Sequence, residues 1–217
     1  MKIPGGFFIT LEGIEGCGKT TQARLLAERL TGIGYNVTHT REPGGTTIGG
    51  RIRAVLLDPE SKGMDPMAEL MLYSADRAQH VRETIEPALN EGGVVICDRY
   101  TDATLAYQGF GRGLDVEVID TLTELCTGGC APDLTLLLDL PVEAGLSRAV
   151  GRNEQNGMEK EARFEREAVS FHERVRAGYL NIACLEPGRV KVIPAAGDID
   201  DVQEAIRDEV DKALGNR

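Results

Sequence analysis

Five short apolar runs stand out along the chain: Phe7 to Leu11, Val37 to Thr40, Val94 to Cys97, Leu134 to Leu138 and Val190 to Ile193. Runs that stay apolar at consecutive rather than alternate positions predict strands covered on both faces. Between them, apolar residues recur at three- and four-residue spacing. That period predicts helices over Thr21 to Ile33, Thr47 to Leu57, Pro66 to Asn90, Val116 to Cys126, Val142 to Arg152, Arg163 to Leu185 and Ile199 to Leu214. Strands alternating with helices make βαβ units. The expected architecture is therefore α/β: a five-stranded parallel sheet between two helical layers, with a ligand crevice at the carboxyl ends of the strands.

The polar residues that follow the strands fit that expectation. Gly13, Ile14, Glu15, Gly16, Cys17, Gly18, Lys19 and Thr20 satisfy G-x-x-x-x-G-K-[ST] directly after the first strand and before an amphipathic helix. In such a loop the backbone N–H groups close around phosphate oxygens, Lys19 supplies a point charge for the β and γ phosphates, and the Thr20 hydroxyl suits Mg²⁺. These residues are the expected nucleoside-triphosphate-binding set of a P-loop NTPase fold. Asp98, at the end of the third strand, is the expected acidic partner of the metal, and Arg99 beside it has the planar fork to grip a second phosphate. On the third helix Tyr73 and Arg77 are spaced i, i+4 and share a face, where a ring and a guanidinium can hold a base. Thr104 and Tyr107 follow Asp98 at i, i+3 spacing, and Gly109 to Gly113 reads as a flexible turn. The polar stretch Asn153 to Ala162, flanked by Arg148, Arg152 and Arg163, reads as a lid.

Composition narrows the class. The 217 residues suit a single domain, 1–217, with 41% hydrophobic and 27% charged residues, and no apolar run approaches the ~20 residues of a membrane span. The first residues leave no room for a signal peptide, so the expected location is cytoplasmic. A net charge of -11 disfavours a nucleic-acid polymer and favours a small anionic substrate met by local basic residues. Five cysteines at irregular spacing are expected to be reduced thiols; Cys126 and Cys130 have no second pair to complete a zinc site. His39, His80 and His172 have no ligand spacing and receive no role. Two classes compete on these residues: a phosphotransferase acting on a phosphorylated acceptor, and a nucleotide-dependent switch or regulatory ATPase. The Asn-Lys-x-Asp segment of a guanine-specific switch is missing, and the basic residues flanking the lid, with the arginine after the third strand, favour two facing phosphates and hence transfer.

The chain resembles bacterial thymidylate kinases from about Phe7 to Leu214. The resemblance rests on Leu11-Glu12-Gly13-Ile14-Glu15-Gly16, Thr40-Arg41-Glu42-Pro43-Gly44-Gly45-Thr46, Asp98-Arg99-Tyr100, Ala106-Tyr107-Gln108-Gly109, Pro132-Asp133-Leu134-Thr135 and Arg163-Phe164-Glu165. It implies transfer of the γ-phosphoryl group of ATP to dTMP, giving dTDP, with Mg²⁺, in a homodimer. It implies that Tyr73 stacks on the base, Arg77 bonds a thymine carbonyl, and Thr104, Tyr107 and Gln108 lie near base and sugar. Arg99 would hold the acceptor phosphate and Glu15 would lie near the sugar hydroxyl, while Arg41 and Arg53 fall in matching blocks. Tyr73 stands where phenylalanine is commoner. In this family the catalytic arginine comes from the P-loop or from the lid. Gly16 occupies the loop position, which points to Arg152 of the lid first, and to Arg148 or Arg163 second. A kinase for another nucleoside monophosphate is the alternative within the same chemistry.

Overall fold

The computed structural model describes residues 1–156 and 163–215, with the backbone alone for 152–156. The predicted apolar runs form β1 (Phe7–Glu12), β2 (Val37–Arg41), β3 (Val94–Asp98), β4 (Leu134–Asp139) and β5 (Val190–Pro194). They pair in the order β2-β3-β1-β4-β5, every neighbouring pair parallel. The helices are α1 (Lys19–Gly32), α2 (Thr47–Leu57), α3 (Pro66–His80), α4 (Glu86–Asn90), α5 (Thr101–Thr104), α6 (Val116–Thr127), α7 (Val142–Asn156), α8 (Val169–Leu185) and α9 (Ile199–Gly215). Strand alternation feeds two cores. Phe7, Ile9 and Leu11 join Val94 and Ile96 in one buried cluster, while Phe8 joins Val95 and Cys97 in another. This is the three-layer arrangement expected from the sequence.

The register sets up the site. Leu11 lies beside Asp98, and Asp98 beside Arg41, so the polar residues that end β1, β2 and β3 form one row at the carboxyl edge of the sheet.

Several elements differ from the sequence expectation. β1 and β3 are buried throughout, but β2 and β5 are only partly covered, because each lies at an edge with a strand on one side only. The predicted helix Pro66 to Asn90 is helical over its whole length, but α3 and α4 are joined within it by a π turn over Val81–Ile85. Pro87 lacks the N–H that would bond one turn back, and the chain widens just before it. The predicted helix Arg163 to Leu185 begins only at Val169. Ahead of it, Arg163 donates hydrogen bonds to Leu56 O and, at 2.6 Å, to Glu69 Oε2, and His172 bonds Phe164 O at 3.0 Å, so tertiary contacts override the local pattern. α7 runs past Arg152 to Asn156.

The expected flexible turn at Gly109 to Gly113 is instead largely a π turn, Leu105–Gly111, which continues α5 and packs tightly on α8. Its Arg112 N–H bonds Tyr107 O at 2.9 Å. A Cβ on Gly111 would lie 2.7 Å from the Phe171 ring, and one on Gly178 would lie 2.7 Å from that of Phe110. Glycine is there to allow close approach rather than to supply motion.

Candidate active site

A cleft of about 350 Å³ opens at the carboxyl edge of the sheet, lined by the P-loop, the Arg41–Pro43 loop, α3, the end of β3 and the Thr104–Gln108 turn. On one side, the ammonium of buried Lys19 donates to the carbonyls of Gly13 at 2.9 Å and Ile14 at 2.7 Å, and lies 3.3 Å from Cys17 Sγ. Gly16 adopts φ +70°. A Cβ there would come within 2.0 Å of Gly145 O on α7, so no side chain fits at this loop position. That is the position where part of the family it resembles carries an arginine.

At the floor, the Thr20 hydroxyl donates to Asp98 Oδ2 at 2.6 Å. Asp98 Oδ1 is buried with no hydrogen-bond partner among the described residues. A hydroxyl and a carboxylate with a spare oxygen form a hard oxygen set that fits Mg²⁺. Arg99 follows in the left-handed region at φ 70°, a conformation costly for a side chain that bears a Cβ. It is held there from both sides. The Arg99 N–H donates to Leu11 O at 3.0 Å, and the next N–H, of Tyr100, donates to Glu12 Oε1 at 2.7 Å. Glu12 also accepts from the Tyr179 hydroxyl at 2.8 Å; burial and the Asp102 charge push its carboxyl upward against these donors.

The other side of the cleft is assembled from distant segments. Glu15 Oε1 accepts from the Tyr107 hydroxyl at 2.5 Å and from Arg99 Nη2 at 3.2 Å, while His172 Nδ1 lies 3.2 Å from Oε2. Burial alone would raise the Glu15 carboxyl, but His172 and the Arg99 guanidinium outweigh it and hold the group at about 2. Glu15 is therefore ionised at neutral pH. Arg77 is 2% exposed; its Nε donates to Glu42 Oε2 at 2.8 Å and its Nη2 to Tyr100 O at 2.9 Å. Glu42 Oε1 is bonded to His80 Nδ1 at 2.8 Å, and His80 Nε2 to Thr40 Oγ1 at 2.7 Å. Arg77 Nη1 and Thr104 Oγ1 are buried without a hydrogen-bond partner among the described residues, and both residues line the cleft beside Tyr73. A buried polar atom left unpaired costs on the order of 1–3 kcal/mol, and here both belong to residues of the cleft wall.

Of the residues singled out in the sequence, Glu15, Gly16, Gly18, Lys19, Thr20, Arg41, Arg53, Tyr73, Arg77, Asp98, Arg99, Thr104, Tyr107 and Gln108 line this one cleft. Gln108 also donates to Glu69 Oε1 at 2.7 Å, and Arg53 to Pro43 O at 3.1 Å. The three candidate catalytic arginines are not brought to the same place. Arg163 is committed to Glu69 and Leu56, and Arg148 donates to Ala195 O at 3.3 Å. The Arg152 side chain lies outside the described residues, and of the expected lid, Asn153 to Ala162, the backbone of 153–156 continues α7 while 157–162 lie outside them. Glu12, Glu42, Phe164 and His172 are site or supporting residues to which no role was assigned from the sequence. The first three sit inside the motifs quoted above, whereas nothing in the pattern around His172 distinguishes it from a core residue of α8.

The family model described as thymidylate kinase matches residues 11–206. A thymidylate kinase of Geobacter sp. (strain M21) is 56% identical over 206 residues, covering 93% of this chain and 92% of that protein. That of Desulfosudis oleivorans is 57% identical over 196 residues, covering 90% and 92%. Among solved structures, the crystal structure of thymidylate kinase from Ehrlichia chaffeensis superposes with a TM-score of 0.76 at 38% identity, covering 95% of this chain and 99% of that one. A P-loop facing a cleft with unpaired donors on a five-stranded parallel sheet, matched along nearly its whole length, places the chain in the thymidylate kinase family.

Proposed function

We propose that the chain transfers the γ-phosphoryl group of ATP to dTMP, forming dTDP and ADP, as one kinase domain. The observation that carries this reading is the single cleft in which the P-loop and Asp98 stand together with Tyr73, Arg77, Arg99 and Thr104. The P-loop, residues Gly13 to Thr20, holds the ATP phosphates. Lys19 leaves its loop carbonyls to meet them, since a phosphate offers a full charge where Gly13 and Ile14 offer dipoles. Thr20 and Asp98 would hold Mg²⁺, which would supply positive charge against the transferring group. Tyr73 stacks on thymine, Arg77 Nη1 donates to a base carbonyl, and Thr104 and Gln108 complete the base pocket. Arg99 grips the acceptor phosphate, with Arg41 and Arg53 beside it, and Glu15 and Tyr107 face the sugar.

The acceptor is already an ionised phosphate at neutral pH, so the protein's work is positioning and charge neutralisation rather than proton abstraction. With no side chain possible at Gly16, the arginine that meets the transferring phosphoryl comes from the lid. We assign it to Arg152, since Arg148 and Arg163 are engaged elsewhere. Lid closure excludes water that would otherwise hydrolyse ATP. Exposed apolar residues on α2, α3 and α6, including Val55, Met71 and Leu125, support a homodimer. No helix among the described residues is long and apolar enough to cross a membrane, in keeping with a cytoplasmic enzyme.

Coupled ADP release with ATP and Mg²⁺ tests the reading, comparing dTMP, dUMP, dCMP, dGMP, AMP and no acceptor. Turnover is expected to favour dTMP strongly. Preference for another monophosphate would overturn the base-site assignment, and release without acceptor would favour a regulatory ATPase.

A further inference from the structure

His172 lies on α8 with no exposed surface, and its two ring nitrogens face different segments. Nε2 is 3.0 Å from Phe164 O, a carbonyl that can only accept, so Nε2 carries a hydrogen. Nδ1 is 3.2 Å from Glu15 Oε2. Neither of these two buried atoms has a hydrogen-bond partner among the described residues. If the ring were neutral, the Nδ1 lone pair would face an ionised carboxylate in a dry site, two acceptors pressed together. A second ring proton removes that conflict and makes the contact an ion pair.

We propose that His172 is a positioning residue of the acceptor half of the cleft: as an imidazolium it neutralises Glu15 from beneath and so leaves Arg99 free for the acceptor phosphate. The proposal rests on the reading of that half as the dTMP site. Its logic is a competition for one cation. Glu15 Oε1 touches Arg99 Nη2 only at 3.2 Å, and Arg99 reaches no other carboxylate closer than Asp98 at 3.9 Å. With His172 charged, Glu15 has a partner that never enters the cleft, and Arg99 can turn to a phosphate. With His172 neutral, Glu15 is a buried anion whose remaining nearby cations are Arg99 and Lys19, and it holds Arg99 back.

The charged and titratable groups around the pair are Lys19 from α1, Arg99 from the end of β3, Tyr107 from the π turn and Glu165 from the segment before α8. Burial of the ring lowers its proton affinity, but Glu15, the Phe164 carbonyl and Glu165 outweigh that and raise it above the ordinary histidine value. The clamp is therefore complete below 6.5 and is lost as pH rises through the raised value. Acceptor handling should weaken on the alkaline side while ATP handling does not.

Two measurements test this. The chain has three histidines, so an NMR titration of the imidazole signals, assigned by single substitution, reads the pair without substrate. His172 should titrate above the ordinary 6.5, and in Glu15→Gln it should fall below it. A midpoint at or below 6.5 in the native chain, or one unmoved in Glu15→Gln, would overturn the proposal. In steady-state kinetics, His172→Phe should raise KM for dTMP about tenfold with KM for ATP unchanged, as expected for a buried charge left without its partner. His172→Gln, a neutral donor of similar length, should recover part of that loss and flatten the alkaline fall in kcat/KM for dTMP. Equal changes in both KM values, or an unaltered alkaline limb in His172→Gln, would count against it. Should dTMP prove not to be the acceptor, the kinetic arm fails for every variant while the titration still reports on the pair.

Discussion

In the donor half of the cleft, the contacts that shape the cradle are local: Lys19 reaches Cys17, Ile14 and Gly13, two, five and six residues back along the chain. In the acceptor half they are remote. Glu15 is held by Arg99 and Tyr107, 84 and 92 residues away, and Arg77 by Glu42, 35 residues away. The donor half is built of backbone conformations and glycines, with few groups that titrate. The acceptor half is built of buried ion pairs: Glu15 with Arg99 and His172, Glu42 with Arg77 and His80, and Glu69 with Arg112 and Arg163. Phosphate is common to all nucleotides, and a loop of N–H groups suffices to hold it. A base must be distinguished from others, and fixed directional donors in a dry pocket do that.

The comparison can be broken from the donor side with the largest effect. Gly16→Ala places a Cβ 2.0 Å from a backbone oxygen, so the loop or α7 must move. Misplacement on that scale should lower kcat/KM for ATP by about 10²-fold. Equilibrium titration with dTMP should show acceptor affinity little changed. Equal loss of both affinities would mean that the halves are not separable.

From the acceptor side, Arg77→Ala removes the unpaired donor and should raise KM for dTMP on the order of 10-fold to 100-fold, the worth of a hydrogen bond from a charged group. KM for ATP should stay within about twofold of the native value, as expected if Arg77 touches only the acceptor. The two variants together form a double dissociation.

The smallest expected effect sharpens the contrast in titration. Asp76 accepts the Gly44 N–H at 3.0 Å behind the Arg41–Gly45 loop. Burial, aided by repulsion from Glu42, pushes its carboxyl up from 3.8 to about 6. A raised carboxyl favours the protonated fold, so its contribution to stability is full below 3.8 and is lost as pH rises through about 6. Asp76→Asn should therefore flatten the fall in melting temperature between pH 4 and pH 7 by a few degrees, about what 1 kcal/mol produces in a chain of this size. An unchanged slope would show that Asp76 does not titrate there.

Much of the fold was legible because its signals are contiguous. Consecutive apolar positions such as Phe7 to Leu11 and Val94 to Cys97 can be satisfied only by strands covered on both sides, and the P-loop is a single unbroken stretch with fixed glycine positions. Tyr73, Arg77, Thr104 and Tyr107 were legible as candidates by spacing and by family resemblance. That Arg77 would have two of its three nitrogens occupied by Glu42 and Tyr100 was not. The late start of the helix expected from Arg163 and the π turn ahead of Pro87 also escaped the periodic pattern. The first was decided by the pairing of Arg163 with Glu69 across 94 residues, the second by one missing N–H, which the pattern of apolar positions does not register.

The amino-acid sequence by itself determined the order of strands and helices, the phosphate cradle and the set of residues brought to the carboxyl edge. Each of these follows from local dihedral preference, from hydrophobic period or from the pleat of a strand. Only the tertiary structure decided which of those residues are committed and which remain open to a ligand. It paired Glu15 with His172, closed Glu42 onto Arg77 and His80, and left Arg77 Nη1, Thr104 Oγ1 and Asp98 Oδ1 without a hydrogen-bond partner among the described residues. The reason is physical: a hydrogen bond between segments tens of residues apart depends on ångström-scale distances, fixed only when the whole core has packed.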